Sequence, residues 1–348
     1  MYLHALASAL PPTAYTQAEC WDIVQRSEAR QRLSRRSLLT LRAILRHASG
    51  IATRHFAMPD IERVFSLTPD ELNDAFRLEA PRLAACALAS ALEQACLVAG
   101  QVDALLICTC TGYLCPGVTS YVSEQLSLRA DAFLQDLVGL GCGAAIPSLR
   151  AAEAILAGQP TAVVACVAVE VCSAAFYLDD DPGVLVSACL FGDGAAATIW
   201  RGTPGPCGLR CSGFSTMHQP ANRDRIRFEM RQGKLRNLLH PSVPALAAAA
   251  VEQLLTGERT RPGGRPISRI IAHGGGRDVL DAIEQSCAGY DLAVSRQVLR
   301  ECGNMSSPSV LFALERALRD GSPDEKGDWW LTSFGAGFSA HGCRVGRS

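Results

Sequence analysis

The stretch LQDLVGLGCGAAIPSLRAAEAILAG, residues 134–158, constrains the fold more than any other part of the chain. An apolar run typical of a strand breaks at Gly139, Gly141 and Gly143, and a helical pattern follows. Cys142 lies in this break, so we expect it at a helix N-terminus, where free N–H groups favour the thiolate and lower the pKa of the thiol. The turn predicts a nucleophilic cysteine, and a small buried structural cysteine is the alternative.

Composition restricts the class of protein. The 348 residues are 48% hydrophobic, which suffices for one large domain or two of ordinary size. The 33 basic and 34 acidic residues leave a net charge of −1, which argues against nucleic-acid or membrane-surface binding. The 15 cysteines lie mostly in apolar surroundings and lack zinc-site spacing, so we expect free thiols and no metal. Without a signal sequence or a long apolar span, a cytoplasmic protein is expected.

Buried strands alternate with alanine-rich helices along the chain. Continuous apolar runs at 104–108, 161–169 and 195–200 are typical of strands covered on both faces. This alternation predicts a layered α/β protein. A shift to Gly, Pro and Cys near residue 205 indicates a junction, so we predict two halves, 1–205 and 206–348.

Two polar residues in the second half also follow glycine-bearing turns. His273 lies in IIAHGGG after a predicted strand, and Asn304 lies in CGNMSS before a predicted helix. Taken singly, a histidine after a strand is more often a structural residue, and an asparagine after a glycine is more often a cap or turn residue. Together with Cys142 they supply a nucleophile, an imidazole and N–H donors for an oxyanion, which are the groups that acyl transfer through a thioester requires.

These motifs, with LFGDGAAA at 190–197 and SFGAG at 333–337, resemble those of the type III polyketide synthases, the chalcone synthase-like family of thiolase-fold condensing enzymes. The resemblance implies a five-layered αβαβα fold of two pseudo-repeated halves. It also implies a homodimer that acts on acyl-CoA and malonyl-CoA and needs no further cofactor. A cysteine at position 110 is similar to bacterial members.

The resemblance further implies a mechanism. Cys142 would take up an acyl starter from acyl-CoA, and His273 and Asn304 would stabilise the enolate formed when malonyl-CoA loses carbon dioxide. The enolate would attack the Cys142 thioester, and the extended chain would cyclise to a pyrone or to a resorcinol-type phenolic ring.

Other positions are assigned to substrate contacts by the same resemblance. Phe191 matches the gatekeeping phenylalanine between the CoA tunnel and the cavity, and Arg236 takes the place of a second one. Cys115 stands where many members project a methionine across the dimer interface. The expected cavity-facing residues are Cys110, Thr111, Cys172, Ala175 and Ser306. The family's lysine-rich CoA patch is replaced by arginines, and the implied CoA contacts are Arg42, Arg46 and Arg54.

Two alternatives stay open. One is an enzyme similar to ketoacyl synthase III, which makes a single condensation or acyl transfer and uses an acyl carrier protein; the basic segment 37–56 and Arg236 favour it. The other is a silent acyl-CoA-binding scaffold, which has no chemical need for Cys142, His273 and Asn304 together.

Overall fold

The computed structural model describes residues 1–46, 49–206, 208–321, 323 and 327–347. Its α-helices are Gln17–Arg26 (α1), Ala29–Arg32 (α2), Arg35–Arg46 (α3), Pro69–Gln94 (α4), Val118–Leu126 (α5), Ala145–Gly158 (α6), Pro182–Leu190 (α7), Val243–Arg259 (α8), Arg277–Ser286 (α9), Ala293–Cys302 (α10) and Ser309–Asp320 (α11). Its strands are Tyr2–Ala9 (β1), Ala14–Thr16 (β2), Thr53–His55 (β3), Ala104–Cys108 (β4), Phe133–Leu137 (β5), Val164–Glu170 (β6), Gly194–Arg201 (β7), Leu209–His218 (β8), Ile226–Arg231 (β9), Lys234–Leu239 (β10), Ile267–Ala272 (β11), Asp328–Gly335 (β12) and Ser339–Arg347 (β13).

The main sheet has nine strands in the order β11-β12-β13-β8-β1-β7-β6-β4-β5. Five of them come from the first part of the chain, where β1, β7 and β6 pair antiparallel and β6, β4 and β5 pair parallel. The second group repeats this pattern, because β8, β13 and β12 pair antiparallel and β12 and β11 pair parallel. One residue pair between β1 and β8, Tyr2 with Arg210, joins the two groups. The predicted boundary between 205 and 206 falls between β7 and β8.

Helices cover both groups of strands and separate them. Helix α6 contacts β4 and β6 of the first group as well as β12 and β13 of the second, and α11 contacts β1, β11 and β12. On the outer sides, α4 contacts β1, β6 and β7, while α8 contacts β8, β13 and α9. The layers therefore alternate as helix, strand, helix, strand and helix, and three apolar cores lie between them.

Local sequence explains the elements that form these layers. In the outer helix α4, Thr68 caps the N-terminus, its hydroxyl accepts from the Glu71 N–H, and Pro69 takes the first helical position. The strands β4 and β6 are buried along their whole length and rich in Val, Ile and Leu, so the predicted buried strands are confirmed. No helix in the described part of the chain is long and apolar enough to cross a membrane.

Candidate active site

Cys142 lies in the short 3₁₀ turn Gly141–Gly143, between β5 and α6, so the predicted glycine turn between a strand and a helix is confirmed. Gly141 has a φ of +57°, and a Cβ atom there would lie 3.1 Å from the backbone nitrogen of Ala336. A Cβ atom on Gly335 would lie 2.6 Å from the backbone of the turn. The glycines therefore allow two loops to pack against each other and hold the sulfur in place.

The Cys142 sulfur is largely shielded from solvent. The residue is buried, and the Ser306 hydroxyl donates a hydrogen bond to Sγ at 3.2 Å. Burial raises the pKa of the Cys142 thiol to about 12, and the bond from Ser306 lowers the pKa by less than that. The prediction of a lowered pKa at the helix N-terminus is therefore wrong for this structure, because the loss of hydration outweighs the favourable N–H groups.

His273 follows β11 and is also buried. Its backbone N–H donates to the Thr332 carbonyl at 2.9 Å, and its ring packs edge-on against Phe334 with the two ring centres 5.2 Å apart. Burial lowers the pKa of His273 to about 3, so the imidazole is neutral at ordinary pH. Its Nδ1 atom has no hydrogen-bond partner among the described residues.

Asn304 connects three segments of the site. Its Nδ2 donates to the Gly275 carbonyl on the His273 loop at 3.2 Å, and its Oδ1 accepts from the Ser306 N–H at 2.8 Å. Its backbone N–H donates to the Leu190 carbonyl at 2.9 Å, so it also holds the chain beside Phe191. Asn304 is thus hydrogen-bonded both to the histidine loop and to the serine that contacts Cys142.

Phe191 follows α7 and lines a small cavity with Cys142. The guanidinium group of Arg54 holds this segment, since Nη1 donates to the carbonyls of Phe191 at 2.9 Å and Ala188 at 2.7 Å, and Nε donates to Gln17 at 3.0 Å. Arg54 is only 2% exposed. The predicted CoA contact at Arg54 is therefore corrected: the side chain braces the interior and does not face a surface phosphate.

Two adjoining cavities lead away from Cys142. The smaller, of about 20 Å³, is lined by Cys142, Phe191 and Ser306, and the larger has a volume of about 590 Å³. The walls that they share include Cys110 and Thr111 as well as Gly141, Arg227, Phe228 and Ala336. Cys110 and Thr111 line both cavities and Ser306 lines the smaller one, so three of the expected cavity residues lie in the walls of these cavities.

Two other expected cavity residues line neither of these cavities. Cys172 and Ala175 are buried in the 3₁₀ helix Cys172–Ala175 and line neither cavity, whereas Ala174 lines the larger one. The 3₁₀ helix presents Ala174 to the larger cavity, and the assignment of Cys172 and Ala175 to the cavity stays a prediction.

Arg236 also lies on the wrong face to be a second gatekeeper. Side chains alternate along β10, so Asn237 lines the small cavity and Arg236 points the other way, to Asp179 at 2.7 Å and Glu229 at 2.8 Å. The aromatic residue that lines both cavities is Phe228, which pairs with Asn237 across the β9–β10 hairpin. The alternation of apolar and charged residues in IRFEMR, residues 226–231, was the sequence signal that could have placed Phe228 on the cavity face.

The remaining predicted contacts lie at the surface. Arg42 and Arg46 are exposed on α3, and Arg46 lines a separate cleft of about 380 Å³ together with Arg300. Cys115 is exposed in the loop between β4 and α5 and lines none of these cavities. No group of three or more His, Cys, Asp or Glu side chains in the described residues could hold a metal ion.

A buried carboxylate lies behind the cavity wall. Glu170 is fully buried and accepts hydrogen bonds from the backbone N–H groups of Cys110 at 2.9 Å and Thr111 at 3.1 Å. The hydroxyls of Thr111, Thr109 and Ser307 donate to it at 2.9, 3.2 and 2.7 Å. Burial raises the pKa of Glu170, and these bonds lower it. The carboxylate is therefore already satisfied by protein donors.

A chain of contacts connects this carboxylate with the nucleophile. Cys110 Sγ lies 3.3 Å from Glu170 Oε1 and 3.3 Å from Ser306 Oγ, which in turn contacts Cys142. Ser306 has a φ of +60°, a conformation that a non-glycine residue seldom adopts. Such strain at a residue between two thiols is typical of a functional site.

Comparisons with known proteins cover both halves of the chain. Residues 2–204 match the family model described as FAE1/Type III polyketide synthase-like protein, and residues 215–345 match the C-terminal domain of chalcone and stilbene synthases. A 1,3,6,8-tetrahydroxynaphthalene synthase of Streptomyces peucetius subsp. caesius is 30% identical over 348 residues, covering 97% of this chain and 90% of the relative. A 3,5-dihydroxyphenylacetyl-CoA synthase of Streptomyces toyocaensis is 29% identical, covering 91% of this chain and 82% of that protein.

Solved structures have the same fold. The crystal structure of 1,3,6,8-tetrahydroxynaphthalene synthase from Streptomyces coelicolor superposes with a TM-score of 0.87 at 26% identity and covers 100% of both chains. PKS-I from the brown alga Ectocarpus siliculosus superposes with a TM-score of 0.89 at 22% identity, covering 100% of this chain and 98% of that one.

Proposed function

This chain belongs to the type III polyketide synthases, and from that membership we propose that Cys142, His273 and Asn304 catalyse the condensation. The family and the thiolase-like fold predicted from the motifs are thereby confirmed, and the chain is an acyl-transferring, decarboxylating condensing enzyme. The observation that supports the roles of these residues is the hydrogen-bonded connection from Cys142 through Ser306 to Asn304 and on to the His273 loop.

In the loading step, the Cys142 sulfur attacks the thioester carbonyl of an acyl-CoA. A new thioester forms on Cys142, the bond from the carbonyl carbon to the CoA sulfur breaks, and CoA leaves as a thiol. Because the resting thiol has a pKa of about 12, its proton must leave as the sulfur attacks. We assign His273 to stabilise the attacking sulfur by hydrogen bonding, and the proton passes to the CoA sulfur as the bond to the acyl carbon breaks.

In the condensation step, malonyl-CoA loses carbon dioxide and the electron pair of the broken C–C bond forms an enolate. Asn304 Nδ2 and an N–H of His273 donate to the enolate oxygen, and both groups lie in a buried site where such donors act strongly. The enolate carbon attacks the Cys142 thioester carbonyl, and the Cys142 sulfur leaves as a thiolate that the next acyl transfer uses.

The product that we propose is a phenolic ring built by two or more malonyl extensions. Relatives are named for 1,3,6,8-tetrahydroxynaphthalene, 3,5-dihydroxyphenylacetyl-CoA and phloroglucinol, all of which are phenolic. The cavity of about 590 Å³ beside Cys142 is of a size that holds a small ligand of this kind. We place the CoA phosphates at Arg42 and Arg46 on α3, of which Arg46 lines the cleft shared with Arg300.

We also propose a homodimer. Phe133, Leu134 and Val138 are 54%, 37% and 51% exposed along and just after the edge strand β5, and an apolar strand at a sheet edge needs a cover. Light scattering of the wild type and of Phe133→Glu tests this proposal, and a monomeric wild type would contradict it.

The experiment that tests the function is mass spectrometry of the purified protein with malonyl-CoA and a panel of short, long and aromatic acyl-CoAs. We expect acyl adducts on the Cys142 peptide and released products from at least two extensions. Cys142→Ala should lose every adduct, and Asn304→Ala should lose decarboxylation far more than loading. Products from a single extension would indicate an enzyme similar to ketoacyl synthase III, and adducts that persist in Cys142→Ala would exclude Cys142 as the nucleophile.

A further inference from the structure

The β9–β10 hairpin carries one polar side chain on an otherwise apolar face. Ile226, Phe228, Met230 and Leu235 follow the alternation of the two strands and line the cavities of the site. Asn237 lies on the same face, directly opposite Phe228, and lines the small cavity. The alternation calls for an apolar residue at this position, and a residue that breaks such a local rule is typical of a functional site.

The side chain of Asn237 is buried without a partner. The residue is 9% exposed, and in the part of the chain that the structure describes its amide makes no hydrogen bond. A buried amide that has lost its water and gained no new partner destabilises the folded state. Because most buried polar groups are hydrogen-bonded, an exception beside a nucleophile indicates a group that a substrate completes.

The other polar side chains around the small cavity are already bound. Thr111 Oγ1 donates to Glu170 at 2.9 Å, and Ser306 Oγ donates to Cys142 Sγ at 3.2 Å. The guanidinium group of Arg227 donates to a neighbouring carboxylate at 3.1 Å. The free amide on β10 is therefore the group in this wall that can bind a substrate oxygen without breaking an existing hydrogen bond.

The size of the small cavity limits which part of a substrate the amide can contact. Cys142, Phe191 and Asn237 line the same space of about 20 Å³. A space of this size holds little more than a water molecule or one carbonyl group. The amide must therefore act on atoms close to the thioester, whereas the remainder of a longer chain lies in the larger cavity.

We propose that Asn237 Nδ2 donates a hydrogen bond to the carbonyl oxygen at C3 of a β-ketoacyl chain. This inference rests on the proposed acyl transfer at Cys142. In that reaction each extended chain leaves on CoA, so it must return to Cys142 before the next extension. A chain that has been extended carries an oxygen at C3 and a plain alkyl starter does not. The amide therefore favours the return of extended chains and names β-ketoacyl-CoA as a preferred substrate class.

The charges around the hairpin fit a neutral oxygen better than a carboxylate. A carboxylate is bound most strongly by a cation, and the nearest cation on β10, Arg236, points to the opposite face, where carboxylates neutralise it. The donors assigned to the enolate oxygen belong to Asn304 and His273. The amide of Asn237 is thus left for a second, uncharged oxygen of the same chain.

The test compares two acyl-CoAs that differ only at C3. Acetoacetyl-CoA and butyryl-CoA have chains of equal length, and only the first has a carbonyl group at C3. The rate of acyl transfer to Cys142 from each is measured by mass spectrometry of quenched samples, for the wild type, Asn237→Leu and Leu235→Ala. Leucine is close to asparagine in size and suits the apolar face. Leu235→Ala is the matched control, because it alters the larger cavity without removing a donor.

We expect Asn237→Leu to load acetoacetyl-CoA about three- to tenfold more slowly than the wild type and to load butyryl-CoA at least as fast. Its melting temperature should rise, since the variant removes an unpartnered buried amide, so unfolding would not explain the slower reaction. With malonyl-CoA supplied, products of two or more extensions should decrease relative to products of one. Leu235→Ala should change the loading of both acyl groups by the same factor.

Two outcomes with an active wild type would overturn the proposal. Equal changes for the two acyl groups in Asn237→Leu would make Asn237 a structural residue. A raised KM for malonyl-CoA with an unchanged ratio of the two loading rates would assign the amide to the malonyl carboxylate.

A wild type that loads neither acyl group would refute the proposed function and leave a separate test of Asn237. Binding of acetoacetyl-CoA and butyryl-CoA is then measured by calorimetry in Cys142→Ala, with and without Asn237→Leu. We expect Asn237→Leu to weaken the binding of acetoacetyl-CoA alone, and an equal effect on both ligands would overturn the inference.

Discussion

Replacing Ser306 by alanine removes the hydroxyl that donates to Cys142 Sγ at 3.2 Å. A hydrogen bond to sulfur favours the thiolate over the thiol, so the bond lowers the pKa of Cys142, and its removal must raise that pKa. Alkylation requires the thiolate. We therefore expect Ser306→Ala to slow the reaction of Cys142 with iodoacetamide at every pH below the pKa of the thiol.

The size of the effect follows from general magnitudes. A hydrogen bond to a charged group stabilises it by about 1.5–3 kcal/mol, which corresponds to a shift of about one to two pKa units. The thiolate fraction falls by the same factor, but a more basic thiolate is a better nucleophile, with a Brønsted coefficient of about 0.4–0.5. The net alkylation rate should therefore fall by about three- to fifteenfold.

The assay measures the alkylation rate of the Cys142 peptide by mass spectrometry between pH 6 and 10, because Cys86, Cys96 and Cys115 are exposed and react as well. Cys110→Ala is the matched control, since it removes the other thiol beside Ser306 and leaves the bond to Cys142 in place.

A second variant separates reactivity from backbone strain. Ser306 has a φ of +60°, and glycine adopts that conformation without the steric cost that a Cβ atom brings. Ser306→Gly should slow alkylation as much as Ser306→Ala does, and it should unfold at a higher temperature than Ser306→Ala. Alkylation profiles of Ser306→Ala and of the wild type that coincide across the pH range would refute the role of the hydroxyl.

Two further predictions concern buried charged groups. Arg54→Lys should lower the free energy of unfolding by about 2–4 kcal/mol, measured by urea titration, because one ammonium group cannot replace the bonds to Phe191 and Ala188. In the same variant kcat should fall more than KM rises. An unchanged kcat would show that Arg54 does not support the active site. Glu170→Gln should lower the melting temperature although glutamine has nearly the shape of glutamate, since the amide nitrogen would face the N–H and O–H donors that now bond the carboxylate. An unchanged melting temperature would mean that these hydrogen bonds contribute nothing to stability.

Local patterns predicted much of the fold and of the site's backbone. Glycine breaks between apolar strands and helices are short-range signals, so the turns around Cys142 and His273 and the buried strands could be located from sequence. The layered architecture followed from their alternation. These predictions needed no knowledge of which side chains meet.

Predictions that depended on side-chain direction or depth were less successful. Arg236 was one residue out of register with the cavity, and in a strand a shift of one residue turns the side chain to the opposite face. Arg54 follows a basic segment and was expected at the surface, yet tertiary packing buries it against backbone carbonyls. The pKa of Cys142 depends on hydration, which the sequence of a single turn does not specify.

Burial leaves both Cys142 and His273 uncharged at rest, which accounts for the order in which charge develops at the site. The thiol has a pKa of about 12 and the imidazole a pKa of about 3, so both groups rest uncharged. We infer that charge first appears when a thioester carbonyl occupies the cavity and its oxygen begins to accept electrons. In such a dry site each N–H donor stabilises that oxygen more than it would in water. The same burial that disfavours a resting thiolate therefore strengthens the donors that act on the oxyanion and on the enolate.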